Sequence, residues 1–150
     1  MTALDGYANF HPFFVHAPLA FIPLALVMTV LGRRNRDAGF NRATLLVTVA
    51  AGLTALVAMA TGLRATNTLT GAPLGLPLDQ HQINGCALGI VCGISALLAT
   101  GEWLGWLGNR AWWLRAAMIA WCTIGCFFCG HSGAKLVYQH GAAVMSASAR

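Results

Sequence analysis

Charged residues are scarce in this chain of 150 residues. Only 9% of them are Asp, Glu, Lys or Arg, and four are acidic, whereas 57% are hydrophobic. Because soluble domains average about 25% charged residues, this composition excludes an ordinary soluble domain. The formal charge of +5 does not indicate nucleic-acid binding, since the basic residues are clustered between hydrophobic runs instead of covering one polar surface. The sequence shows no motif for a catalytic nucleophile, an acid–base pair or a phosphate-binding loop, so it does not predict an independent catalytic activity.

Long hydrophobic runs occupy most of the sequence. Four can be recognised, each near the twenty or so residues that cross a bilayer. They predict an all-α integral membrane four-helix bundle that forms a single transmembrane domain over residues 1–150, with helices at approximately 12–32, 43–63, 80–103 and 112–137. The first run lacks a basic lead-in and contains Pro12, Pro18 and Pro23, so we expect a retained, kinked helix and not a cleaved signal.

The distribution of basic residues predicts the orientation. Two loops, between the first and second helices and between the third and fourth, hold Arg33, Arg34, Arg36, Arg42, Arg110 and Arg115. The other side holds only Arg64, Lys135 and Arg150. By the positive-inside rule, these loops face the cytoplasm and both termini face the periplasm of a bacterial inner membrane. A group of tryptophans at the same boundary agrees with this orientation: Trp103, Trp106, Trp112 and Trp113.

One stretch of the third helix suggests a cofactor site. His81, Gly85, Gly89 and Gly93 recur at four-residue steps and form one stripe on a helix. A histidine above a groove without side chains suits a flat group such as haem, with the imidazole reaching the iron. The glycines alone are more typical of a helix-packing seam.

All five histidines fall on the predicted outer side. His16, His81 and His131 lie at similar depths on helices 1, 3 and 4, and two of them are predicted to bind the iron of haem b, with His11 and His140 as weaker candidates. Gly85 and Gly89 would back the porphyrin, and Arg64 and Lys135 would contact the propionates.

The histidines and cysteines also bear on two other kinds of metal centre. Zinc or copper would use His16, His81 and His131 together. The segment from Cys126 to His131 departs from the C-x-x-C-H motif of covalent haem because Gly130 intervenes. Cysteines 122, 126 and 129 recur at helix spacing, where thiols usually act as small apolar packing groups.

The two ends of the chain resemble a known family. His11-Pro12-Phe13-Phe14-Val15-His16-Ala17-Pro18 and His131-Ser132-Gly133-Ala134-Lys135-Leu136-Val137-Tyr138-Gln139-His140-Gly141 are similar to the end motifs of the bacterial membrane family called domain of unknown function 2231, HP-x-x-VHFP and HxGG-x-LVY-x-HGVGV. A further histidine opens the family's third helix, as His81 does here. The departures are Ala17, Ala134 and Ala142-Ala143, and none removes a histidine. The resemblance implies a small four-helix haem b membrane cytochrome, and relatives joined to Rieske-type domains imply electron transfer.

These observations give two main hypotheses. The first is a b-type cytochrome or electron-transfer subunit in the lipid bilayer, holding haem near the periplasmic side and exchanging electrons with a redox partner, a quinone or a larger membrane complex. No quinone signature is present. The second is a non-catalytic accessory subunit that packs in a larger membrane complex through its small-residue stripes.

Overall fold

The protein is built from helices. The computed structural model describes residues 10–35, 37–68 and 75–140, and these residues contain no strand. The helices are α1 (His11–Phe14), α2 (His16–Gly32), α3 (Ala38–Thr68), α4 (Gly75–Trp103) and α5 (Asn109–Tyr138). Four segments are long and apolar enough to cross a membrane, and they are called spans 1 to 4: His11–Gly32, Ala38–Thr66, Gly75–Trp103 and Arg110–Tyr138. The prediction of an all-α membrane bundle is confirmed.

Span 1 is interrupted near its start. Pro12 occupies the first turn of α1, where a missing N–H costs little. Pro18 has no N–H to donate to the Phe14 carbonyl, and the helix breaks at Val15, between α1 and α2. Regular bonding resumes with the Leu19 N–H donating to the Val15 carbonyl at 3.3 Å. The second internal proline, Pro23, is accommodated within α2.

The helices extend further than the hydrophobic runs suggested. At its start, α3 is capped by Asp37, whose Oδ1 accepts the Phe40 N–H at 2.6 Å. The connection between the predicted second and third helices is largely helical, because α3 continues to Thr68 and α4 already begins at Gly75. Polar residues lengthen both helices beyond their apolar cores. Residues 69–74 of that connection lie outside the described residues. So do Arg36 and Arg150, which were counted for the orientation, and the part of the C-terminal family motif from Gly141 onward.

The bundle order places alternate spans on a diagonal. Span 1 packs against α3 and α5, and α4 also packs against α3 and α5. Spans 1 and 4 are therefore adjacent in the bundle, while spans 1 and 3 lie diagonally opposite each other. The chain forms two helical hairpins, spans 1 with 2 and spans 3 with 4.

The core is made mostly of small residues. Its buried members are Ile22, Ala25, Ala51, Ala55, Cys92, Ile119, Cys122 and Cys126. At the closest approach of α3 to α4, a Cβ added at Gly52 would lie 2.7 Å from the Ala96 Cβ and 3.0 Å from the Cys92 carbonyl oxygen. Small residues at such positions let helix backbones come close, which is how helices associate within a bilayer.

Candidate functional site

His81 is fixed against the fourth span at one end of the bundle. Its Nδ1 lies 2.8 Å from the Ser132 hydroxyl oxygen on α5. Its ring covers the next residue, Gly133, where an added Cβ would lie 3.1 Å from the His81 Cε1. The Ser132 hydroxyl is itself within 3.1 Å of the Cys129 carbonyl, to which it donates its proton.

His11 is fixed in the same way against the second span. Its Nδ1 lies 3.1 Å from the Thr61 hydroxyl oxygen. Its ring covers Gly62, where an added Cβ would lie 2.9 Å from the His11 Cε1. The Thr61 hydroxyl donates to the carbonyls of its own helix, with Val57 and Ala58 each 3.0 Å away.

These two contacts bear on where the ring protons lie. A hydroxyl has one proton, and in Thr61 and Ser132 a backbone carbonyl lies within reach of it. When the hydroxyl donates to that carbonyl, its oxygen accepts from the histidine, and Nδ1 carries the ring proton. In the neutral imidazole this leaves Nε2 with its lone pair, which is the state that a metal-binding histidine needs.

The two imidazoles lie at the same end of the bundle. His11 belongs to span 1 and bonds span 2, and His81 belongs to span 3 and bonds span 4, so the two rings stand on diagonal spans. Each hairpin repeats one arrangement: a histidine on its first span meets a hydroxyl residue and the following glycine near the end of its second span. The sequence separations are 50 and 51 residues. The name "histidine pair" is used below for His11 and His81.

The other charged or histidine residues of the predicted site have exposed side chains. His16, His131 and His140 are exposed on the bundle surface, as are Arg64 and Lys135. Within the described ranges there is no group of three or more His, Cys, Asp or Glu side chains that could hold a metal ion. The proposed zinc or copper centre of three histidines therefore has no geometric support in this part of the chain.

The three glycines of the stripe that follows His81 have different neighbours. A Cβ at Gly85 would meet no atom within 4 Å. At Gly89 it would lie 3.0 Å from the Met59 Cβ and Sδ, and at Gly93 it would lie 3.4 Å from the Leu56 Cδ1. The two lower glycines thus accommodate side chains of α3, which is the packing interpretation of the stripe.

A second polar cluster lies at the opposite end of the bundle. The Arg115 side chain is only 7% exposed and its Nε and Nη2 donate to the Glu102 Oε2 at 3.1 and 2.8 Å. Its Nη1 donates to the Thr29 hydroxyl oxygen at 2.8 Å. This Arg115 cluster connects spans 1, 3 and 4. The second carboxylate oxygen of Glu102 is buried and has no hydrogen-bond partner among the described residues.

A cavity of about 460 Å³ opens beside the Arg115 cluster. Its lining is Thr29, Gly32, Arg33, Arg34, Asn41, Thr44, Leu45, Ala99, Glu102, Trp103, Trp112 and Arg115. The Arg33 guanidinium carbon lies 4.3 Å from the ring centroids of both Trp112 and Trp113, in cation–π contact. This region is called the arginine cavity below.

Comparison with known proteins gives one match. The family described as a predicted membrane protein, DUF2231, matches residues 8–146. The chain belongs to the DUF2231 family. Neither a curated protein nor a solved structure matches it.

Two features of this DUF2231 protein were missed by sequence reasoning. One is the hydrogen bond of His11 to Thr61: a threonine–glycine step follows His11 by 50 residues, as a serine–glycine step follows His81 by 51. Arg115 was counted only as a loop charge, although it falls inside the predicted fourth helix. An ionisable residue within a span is itself a reason to expect a buried partner.

Proposed function

We propose that the protein is a membrane-embedded b-type cytochrome or electron-transfer subunit, with haem held at the histidine end by His11 and His81. The observation that carries this proposal is the matched hydrogen bonding of the histidine pair, in which each Nδ1 meets a hydroxyl oxygen, the arrangement that favours the tautomer with its lone pair on Nε2. His81 is the ligand expected from the stripe, and His11 takes the place that His16 or His131 was expected to fill.

The surroundings of the pair suit ligation of iron by imidazole. Thr61 and Ser132 fix the ring orientation and the tautomer, as outer-shell partners of metal-bound histidines commonly do. Gly62 and Gly133 provide the space that the rings occupy. Cofactor sites in helix bundles are typically built from side chains on facing helices, and the diagonal position of spans 1 and 3 meets that requirement.

The role of the protein chain would be to hold and tune the cofactor. A haem bound here would supply one-electron redox chemistry. Two imidazoles from different hairpins would hold it between the two halves of the bundle. With the histidine end on the periplasmic side of a bacterial inner membrane, the partner would be a periplasmic donor or acceptor, a quinone or a larger membrane complex.

The test is a comparison of four single alanine variants of the purified full chain. The wild-type protein, expressed with haem supply, should contain iron and show a b-type α-band in the reduced-minus-oxidised spectrum. His11→Ala and His81→Ala should each lose the band. His16→Ala and His131→Ala are matched controls, because they also remove a histidine near the same end but from the bundle surface, and they should keep it.

Two results would contradict the proposal. The first is a folded wild-type protein with neither iron nor an α-band. The second is loss of the band in His16→Ala or His131→Ala while His11→Ala retains it, which would return the ligand role to the exposed histidines. If no haem is present and the chain always migrates with larger partners after mild solubilisation, the accessory role is favoured.

A further inference from the structure

We propose that the arginine cavity binds a phosphate-bearing anion, most simply the headgroup of an anionic phospholipid. The cavity lies at the opposite end of the bundle from the histidine pair, and this inference does not depend on haem binding. It follows from the charge, the position and the size of the cavity.

The charges that line the cavity do not balance. Three guanidinium groups, from Arg33, Arg34 and Arg115, face one carboxylate, that of Glu102. Glu102 is already paired with Arg115, so its negative charge is used within the Arg115 cluster. Among the described lining residues this leaves Arg33 and Arg34 without an anionic partner. Guanidinium groups bind the oxygens of carboxylates and phosphates through paired N–H donors, and at the headgroup level of a bilayer the anion of this kind is the phosphate of a phospholipid.

The first of these two arginines is held in position by aromatic contacts. Arg33 lies against the indoles of Trp112 and Trp113 at 4.3 Å from each ring centroid. Two residues of the same tryptophan group, Trp103 and Trp112, also line the cavity. Because tryptophan favours the level of the lipid headgroups, the cavity lies where a phospholipid presents its phosphate.

The size and the polar lining also fit a headgroup. The volume of about 460 Å³ falls within the range of about 300–1,000 Å³ that small-molecule sites occupy. Asn41 adds a side-chain amide to the lining. Basic pockets between transmembrane helices, on the side that carries the positive loops, are a known way of binding anionic lipid headgroups.

Tryptophan fluorescence gives a direct measurement, because two of the lining residues are tryptophans. The full chain is reconstituted in phosphatidylcholine vesicles, and brominated phosphatidylglycerol is titrated in as a quencher. Brominated phosphatidylcholine measures the quenching by ordinary surrounding lipid. We expect phosphatidylglycerol to quench at a lower mole fraction than phosphatidylcholine, with a preference that weakens as salt is raised.

The variants remove one guanidinium at a time from the cavity. Arg33→Gln and Arg34→Gln should each reduce the preference for phosphatidylglycerol about tenfold, the factor for losing one charge-assisted hydrogen bond to the phosphate, which exceeds the general attraction of one basic residue to an anionic surface. Arg42→Gln is the matched control, since Arg42 is an exposed arginine next to the lining residue Asn41 but is not part of the lining. Circular dichroism checks that all three variants keep their helices.

The outcomes separate the possible sources of phosphate. If inorganic phosphate at millimolar concentration relieves the quenching by phosphatidylglycerol, the site accepts free phosphate as well as lipid. If it does not, the lipid headgroup is the occupant. Equal quenching by the two brominated lipids in the wild type would overturn the proposal, as would an effect of Arg42→Gln as large as those of Arg33→Gln and Arg34→Gln.

Discussion

Replacing Glu102 by Gln would leave the buried Arg115 guanidinium without a counter-charge. In the native protein Arg115 donates three hydrogen bonds of 2.8 to 3.1 Å, two to the Glu102 carboxylate and one to the Thr29 hydroxyl. Removing one partner of a buried ion pair costs about 3–5 kcal/mol. Because the Glu102 side chain is 18% exposed, we expect the lower end of that range, about 3 kcal/mol.

The same cluster provides graded controls. Thr29→Val removes one acceptor of a charged hydrogen bond and should cost about 1.5 kcal/mol. The double replacement Glu102→Leu with Arg115→Met removes both charges together, and its stability should return to within about 1 kcal/mol of the wild type, since apolar replacements of buried pairs are often neutral or stabilising.

Reversible unfolding in mixed detergent and dodecyl sulfate micelles, followed by circular dichroism, gives the free energies of unfolding for this series. The single variants Glu102→Leu and Arg115→Met complete a double-mutant cycle with that double variant, and the cycle isolates the coupling between the two charges. The reasoning is refuted if Glu102→Gln costs less than about 1 kcal/mol, or if the double variant is as unstable as the single one.

Two further predictions concern the packing of α4 and the cap of α3. Gly89→Leu should lower the free energy of unfolding, because its Cβ would meet Met59 at 3.0 Å, and should leave the haem content per folded protein unchanged. Gly85→Leu is the control: its Cβ would meet no atom within 4 Å, so it should be close to neutral in the same unfolding assay. Loss of haem from folded Gly89→Leu protein would instead mean that the stripe backs the cofactor. Asp37→Ala removes the acceptor of the Phe40 N–H and should lower the free energy of unfolding by about 1 kcal/mol. Asp37→Asn should be nearly neutral because Asn caps a helix equally well. Equal losses of stability in the two variants would argue against a capping role.

The fold class was predictable because few solutions exist for such a chain. Runs of about twenty apolar residues in a bilayer must satisfy their backbone groups internally, and the helix does so within one segment. The precise ends were not predictable in this way. The start of α4 at Gly75 and the end of α3 at Thr68 lie in polar sequence, where hydropathy no longer distinguishes a helix that extends beyond the membrane from a loop.

The candidate site was only partly predictable. The depth of a histidine follows from its place along a span, so the common level of these residues could be expected. The face of the helix that it occupies depends on how span 1 is rotated in the bundle. His11 and His16 are five residues apart, which on a helix of 3.6 residues per turn separates them by about 140°. His11 therefore meets Thr61, while His16 is exposed. The pairing of Glu102 with Arg115 likewise depends on the turn that brings α5 back along α4.

The two ends of the bundle are tied together in different ways. The bonds of His11 to Thr61 and of His81 to Ser132 each join helices of one hairpin. Arg115, in contrast, reaches from the second hairpin to Thr29 of the first. Separating the hairpins around the histidines would leave both of those hydrogen bonds intact, whereas separating them at the other end would break the bond to a buried guanidinium. Among the described residues, the hydrogen bonds at the histidine end thus stay within each hairpin, whereas the ionic cluster at the other end links the two hairpins.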